Sequence, residues 1–191
     1  VTSETIHGMN GELFRGITHS FAYDGEAGTG PVTNDTYAWG LKLDYDAESG
    51  GPFTVGEAVY IGGSSAKRGR ILALDDNGTT GSMVLYMEAG TPADNDAIAG
   101  QTSSATANVN GSPVGQSTGG GVGVFLAVDD DGTTGNIYMQ LTRGTAPADN
   151  AILYESTNVA NTITVNGSPT QRTVSPEYIG QSTGSNVIGA Y

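Results

Sequence analysis

Two short runs hold the residues best suited to chemistry: Asp75-Asp76-Asn77-Gly78-Thr79 and Asp129-Asp130-Asp131-Gly132-Thr133. Oxygen donors crowded ahead of a glycine suit a hard cation such as calcium, which gathers roughly six to eight oxygens. The alternating donors would be Asp75 and Asn77 in one run, Asp129 and Asp131 in the other. A full calcium loop closes on a bidentate glutamate, and that place is held by Tyr86 in the first run and Gln140 in the second. The same residues make a hairpin turn unaided, because Asp and Asn side chains accept hydrogen bonds from their own backbone. The turn is the favoured reading, so no cofactor or metal is expected.

Other candidates are weaker. The nucleophile-elbow pattern Gly-x-Ser-x-Gly occurs around Ser117 and again around Ser182, but no His follows either serine, and Ser117 runs into a glycine cluster rather than a helix former. The repeated turn is the simpler explanation, and no enzyme is expected. His7 and His19 lack cysteine or a nearby acidic partner for a metal. Glu4, Glu12, Glu26, Glu48, Glu57, Glu88, Glu155 and Glu177 stand among neutral polar residues and read as a solvated acidic surface. Gly119–Gly123 lacks the lysine and helix of a phosphate cradle and reads as a joint or a closely approached backbone. Lys67, Arg68 and Arg70 form a basic cluster that could dock an acidic surface or protect an exposed strand edge.

What must position these residues is a repeat. Residues 71–87 align without a gap over 125–141. Pro92-Ala93-Asp94-Asn95 returns as Pro147-Ala148-Asp149-Asn150, Asn110-Gly111-Ser112-Pro113 as Asn166-Gly167-Ser168-Pro169, and the Ser117 pentapeptide as that of Ser182. Each copy reads as strand, Asp-Gly turn, strand, then a further tight turn. Upstream, Tyr37, Trp39, Leu41, Leu43 and Tyr45 alternate with smaller or polar residues, which predicts one strand with a buried face. No helical periodicity is present. The expected fold is all-β, with two tandem related small sandwich- or barrel-like repeats after an N-terminal arm and strand. The expected boundaries are 1–53 for the arm and strand, 54–118 for the first repeat and 119–191 for the second.

Composition narrows the function. A net charge of −13, from 20 acidic and 7 basic side chains, opposes binding to nucleic acid or anionic lipid. No apolar run approaches the roughly 20 residues of a membrane helix. With no cysteine, neither disulfides nor thiolate chemistry is available.

The run 55–71, leading into the Asp-Asp-Asn-Gly-Thr-Thr-Gly turn and then Ala93-Asp94-Asn95-Asp96-Ala97-Ile98, resembles small β-repeats of virion structural proteins of tailed bacteriophages. The second copy departs from that pattern, with glycines at 119–121 in place of the Val55-Gly56-Glu57 entry. The resemblance implies a non-enzymatic protein of the capsid surface, of the decoration or cement type. Its partners would be the major capsid protein or another virion protein, and its own copies in a homo-oligomer, with a trimer as candidate. Ile6, Leu13, Phe14, Ile17 and Phe21, with Lys67, Arg68 and Arg70, would make the contacts. Alternatives are a tail or fibre component, or a carbohydrate-binding adhesin using Tyr23, Tyr37 and Trp39.

Overall fold

The structure, a computed structural model, describes residues 17–173. Aliphatic and aromatic residues alternate with polar or small ones, as in Leu41-Lys42-Leu43-Asp44-Tyr45, between Gly- and Asn-rich turns, and the described chain forms strands and no helix. In chain order the strands are β1 (Ile17–Ala27), β2 (Thr36–Trp39), β3 (Leu41–Ser49), β4 (Ala58–Ile61), β5 (Lys67–Asp76), β6 (Gly81–Ala89) and β7 (Ala97–Gly100). There follow β8 (Thr106–Val109), β9 (Val114–Gly115), β10 (Gly121–Asp130), β11 (Gly135–Gly144), β12 (Ile152–Glu155) and β13 (Asn158–Thr173).

The fold is all-β, built from two closed six-stranded antiparallel barrels. One runs β3-β6-β5-β4-β7-β8 and closes through the β3–β6 pairing, with the two-residue β9 added beside β3. The other runs β1-β11-β10-β2-β12-β13 and closes through β1–β13. Element by element the strand order is the same, with β1 and β2 standing where β3 and β4 stand. The first barrel is therefore inserted between β2 and β10 of the second, and the two are called here the inserted and the flanking barrel.

This arrangement corrects the expected boundaries at one point. The segment before residue 54 is not a unit of its own, since β1 and β2 complete the flanking barrel and β3 completes the inserted one. The entry strand that the second repeat lacks is supplied by β2. The backbone repeats in detail: Gly56 N–H donates to the Ile71 carbonyl at 2.8 Å as Asn34 N–H does to that of Phe125 at 2.7 Å. Ile71 and Phe125 return the bond to the Glu57 and Asp35 carbonyls, each at 3.0 Å.

The repeated tetrapeptides also find their reason. Asp94 Oδ1 accepts the Gly111 N–H, and Asp149 Oδ1 the Gly167 N–H, both at 2.7 Å, so each Pro-Ala-Asp-Asn turn is tied to the Asn-Gly-Ser-Pro turn beyond it. Asn95 and Asn150 take left-handed φ of 64° and 61°, a conformation Asn tolerates better than most residues.

The alternation from Tyr37 to Tyr45 holds, but it serves two cores. Tyr37 and Trp39 pack in the flanking barrel with Phe21, Phe125 and Leu153. Leu41, Leu43 and Tyr45 pack in the inserted barrel with Ile61, Ile71 and Leu85. Gly40 divides them, and a Cβ there would strike the Leu85 carbonyl. Between the barrels Ala38 meets Leu72, Ala73, Val84, Tyr154 and Val159 in a third apolar cluster. β2 is thus buried on both faces, and only a small residue fits at position 38.

Candidate functional site

The Asp-rich turns close equivalent hairpins, β5–β6 and β10–β11. Asn77 N–H donates to the Thr80 carbonyl at 2.9 Å and Asp131 N–H to that of Thr134 at 2.8 Å. Asp76 Oδ1 accepts the Gly78 N–H and Asp130 Oδ1 the Gly132 N–H, each at 2.7 Å. These are the self-satisfying turns that the sequence favours. The carboxylates so used are Asp76 and Asp130, which lie between the calcium candidates Asp75 and Asn77 in one turn and Asp129 and Asp131 in the other. Among the described residues no three His, Cys, Asp or Glu side chains gather as metal ligands.

Each hairpin meets a tyrosine and a glutamate that spacing arguments missed. In the flanking barrel the Tyr23 hydroxyl donates to Asp130 Oδ1 at 2.7 Å. Burial, then that bond to Asp130, raises the phenol well above its ordinary value of 10.0, and the bond pulls Asp130 below the usual carboxylate range. Glu26 stands nearby with Oε2 buried and unpaired, its carboxyl raised by burial and then by Asp130. In the inserted barrel Tyr45, Glu48 and Asp76 take the same places. Glu48 N–H donates to the Thr79 carbonyl of the turn at 3.1 Å. Burial raises Glu48 and the Asp76 charge adds to it; the neighbouring Tyr45 hydroxyl and Phe53 amide work the other way without reversing the shift.

A left-handed bulge aims both glutamates. Pairing slips between Asp24 and Ala27 in β1 and between Asp46 and Ser49 in β3. Within those slips Gly25 has φ 62° and Ala47 φ 54°. A bulge of this kind redirects the side chain after it, here Glu26 or Glu48, toward the hairpin. The signal was present in the sequence as Tyr23-Asp24-Gly25-Glu26 and Tyr45-Asp46-Ala47-Glu48, a second short repeat within a segment that otherwise shows none.

The reading of all eight glutamates as solvated surface is therefore corrected in part, because Glu48 and Glu57 are buried. Glu57 is fully engaged: its carboxylate accepts N–H bonds from Thr54 at 2.7 Å and from Thr102 and Ser103 at 3.1 Å, together with the Ser103 hydroxyl. Those bonds outweigh burial and lower its pKa.

Of the expected contact residues, Ile6, Leu13 and Phe14 lie outside the described residues, as do His7 and Ser182. Ile17 opens β1 opposite Thr173. Phe21 is a core residue, edge-on to Phe125 at 6.4 Å, because β1 is a full barrel strand and not a free arm. The basic cluster is neutralised at home: Lys67 Nζ lies 2.6 Å from Asp96, while Arg68 and Arg70 share Glu88 at 3.1 and 3.5 Å. Since β5 is flanked by β4 and β6, these cations guard no edge either. Tyr23, Tyr37 and Trp39 are buried, and the Trp39 indole N–H donates to the Thr145 carbonyl at 3.0 Å, so none offers a face to a sugar ring. Ser117 leads through a bend into β10, with no helix behind it.

Within Gly119–Gly123 the backbone is closely approached at Gly120, Gly121 and Gly123, where a Cβ would meet the Trp39 carbonyl, the Trp39 ring and the Met139 side chain, whereas Gly119 is open. No protein family model, characterised protein or solved structure matches the chain.

Proposed function

We propose that the chain is a non-enzymatic structural protein of a bacteriophage virion, a decoration or cement protein seated on the capsid surface and contacting both the shell and its own copies. The observation that carries this reading is the duplicated barrel itself. Its conserved-in-duplicate motifs are spent on turn geometry: the Asp-Gly hairpins, the Asp94 and Asp149 ties and the left-handed asparagines all stabilise backbone. Among the described residues, barrel closure leaves only the two-residue β9 as a sheet edge, too short for uncontrolled pairing, and a net charge of −13 keeps the free protein dispersed until it meets its lattice. On a shell, many weak identical contacts add through multivalency.

Because Lys67, Arg68 and Arg70 are paired within the chain and Phe21 is core, the contacts to the shell are assigned to residues 1–16. The test is electron microscopy of the particle, with a capsid-binding assay of the full chain against a chain lacking residues 1–16. Two barrels at symmetry-related shell positions, and loss of binding on truncation with the β-type circular dichroism retained, are expected. A shell bare of the protein would overturn the reading, and density confined to the tail would replace it with a tail or fibre role.

A further inference from the structure

The paired Tyr–Glu–Asp sets are more than turn geometry requires. The hairpins are already closed by Asp76 and Asp130 on their own backbone. The side chains of Glu48 and Tyr45 add nothing to that closure, yet both residues are buried, Glu48 at 8% and Tyr45 at 1% exposed. By distance and angle no hydrogen bond is completed at either Glu48 oxygen or at the Tyr45 hydroxyl, although Tyr45, Asp76 and the Phe53 amide all lie close enough to act on the Glu48 carboxyl.

The register shows where they point. Gly81 lies opposite Tyr45 on one side and Asp76 on the other, and the Tyr45 hydroxyl occupies the space its side chain would fill. Gly135 stands likewise between Tyr23 and Asp130, with the Tyr23 ring over it. Each barrel end therefore directs a phenol oxygen and two carboxylates to one place. A proton shared between Glu48 and Asp76 would satisfy one Glu48 oxygen and leave the other, since Asp76 Oδ1 is already taken up by the Gly78 N–H. What the two copies share is a buried glutamate oxygen without a partner, both oxygens of Glu48 in one and Oε2 of Glu26 in the other, whereas the Tyr23 hydroxyl is met by Asp130; such an atom is costly, and its recurrence calls for a ligand.

We propose that each barrel end binds a hard divalent cation of the calcium type. The protein donors are Glu48, Asp76 and the Tyr45 hydroxyl in the inserted barrel, and Glu26, Asp130 and the Tyr23 hydroxyl in the flanking barrel. Hard cations take carboxylate, hydroxyl and water oxygens together, and a set with only two carboxylates belongs to the weak end of protein calcium sites, with a Kd of roughly 10⁻⁴–10⁻³ M. The donor set differs from the linear loop Asp75–Asn77, because the glutamate comes from another strand. It stands on geometry alone, independently of any virion role.

The test uses the full chain with calcium chloride in calorimetry, and with terbium chloride as a luminescent probe excited through tyrosine. Two cations per chain are expected, with a rise in melting temperature on adding calcium and sensitised terbium emission from both ends. Glu48→Gln and Glu26→Gln should each halve the stoichiometry, and the double variant should abolish it, with unchanged circular dichroism showing that each remains folded. Asp75→Asn, outside the donor set, should bind as the unsubstituted chain does. Absence of binding heat, melting shift and terbium emission at about tenfold the upper Kd would overturn the proposal. Binding that survives in the double variant would overturn it equally.

Discussion

The two barrels share one strand order and differ in what fills it. The inserted barrel is aliphatic at its centre, with Leu43, Val59, Ile61 and Ile71, whereas the flanking barrel places Phe21, Tyr37, Trp39 and Phe125 at the corresponding positions. Tyr37 stacks on Phe125 with centroids 4.1 Å apart and planes at 6°. The larger side chains are accommodated by removing others: Gly121 faces the Trp39 ring where the inserted barrel has Lys67, free to pair with Asp96. Barrel topology is thus held by turns and register, while the core is repacked by exchanging volume between facing positions.

That contrast can be broken first at its largest side chain. Trp39→Ala should destabilise the flanking barrel by about 3–5 kcal/mol, as large-to-small aromatic core substitutions do, and leave slow hydrogen exchange in β5 and β6 less affected than in β10 and β11. Urea unfolding with exchange mass spectrometry reads both. Gly121→Ala should cost about 1–3 kcal/mol by overpacking against the indole. Combining it with Trp39→Ile, the residue type of position 61, should recover part of that loss, which a double-mutant cycle would measure.

The barrels also differ at Glu57, whose counterpart Asp35 lacks the ring of N–H donors and has a raised pKa, through burial and then Glu155. Glu57→Gln should cost about 1–3 kcal/mol, since a charge-assisted set of bonds is weakened. The pH signs are opposite within the inserted barrel. Glu57, with its folded pKa depressed, stabilises above its ordinary value of 4.5, and that stability is lost as pH falls through the folded pKa. Glu48, with its folded pKa raised, penalises the fold while ionised, and the penalty lifts as pH falls through its folded pKa, already above 4.5. Melting curves of Glu57→Gln and Glu48→Gln across pH 3–8, in metal-free buffer, should diverge accordingly.

The smallest expected effect lies in the bulges. Ala47 pays for a left-handed φ that Gly25 adopts freely, so Ala47→Gly should stabilise by about 0.5–1 kcal/mol and Gly25→Ala should destabilise by a similar or larger amount.

The hairpins and their duplication were legible because turn chemistry is local: Asp, Asn and Gly at fixed offsets specify a bend wherever the chain places them. Closure was not legible, because it joins segments far apart, such as Tyr37 with Gly123 and Tyr23 with Val165. The kinship of β1 and β2 with β3 and β4 was hidden for a second reason. Their core residues had been exchanged, Trp39 for Ile61 and Tyr37 for Val59, leaving only the four-residue Tyr-to-Glu echo. Glu48 looked solvated from its polar neighbours Asp46 and Ser49, and it is buried because a bulge at Ala47 turns it inward. Phe21 was assigned to a contact surface because its segment has no partner in the main repeat; its cover, Phe125, is supplied by β10.

Whether one barrel is threaded between the strands of the other is decided most directly by cross-strand proton contacts in nuclear magnetic resonance of the full chain. Nesting requires contacts from residues 36–38 to 122–124 and from residues 19–23 to 135–139. Contacts from residues 19–23 and 36–38 to the strands between 41 and 115 in their place would contradict it.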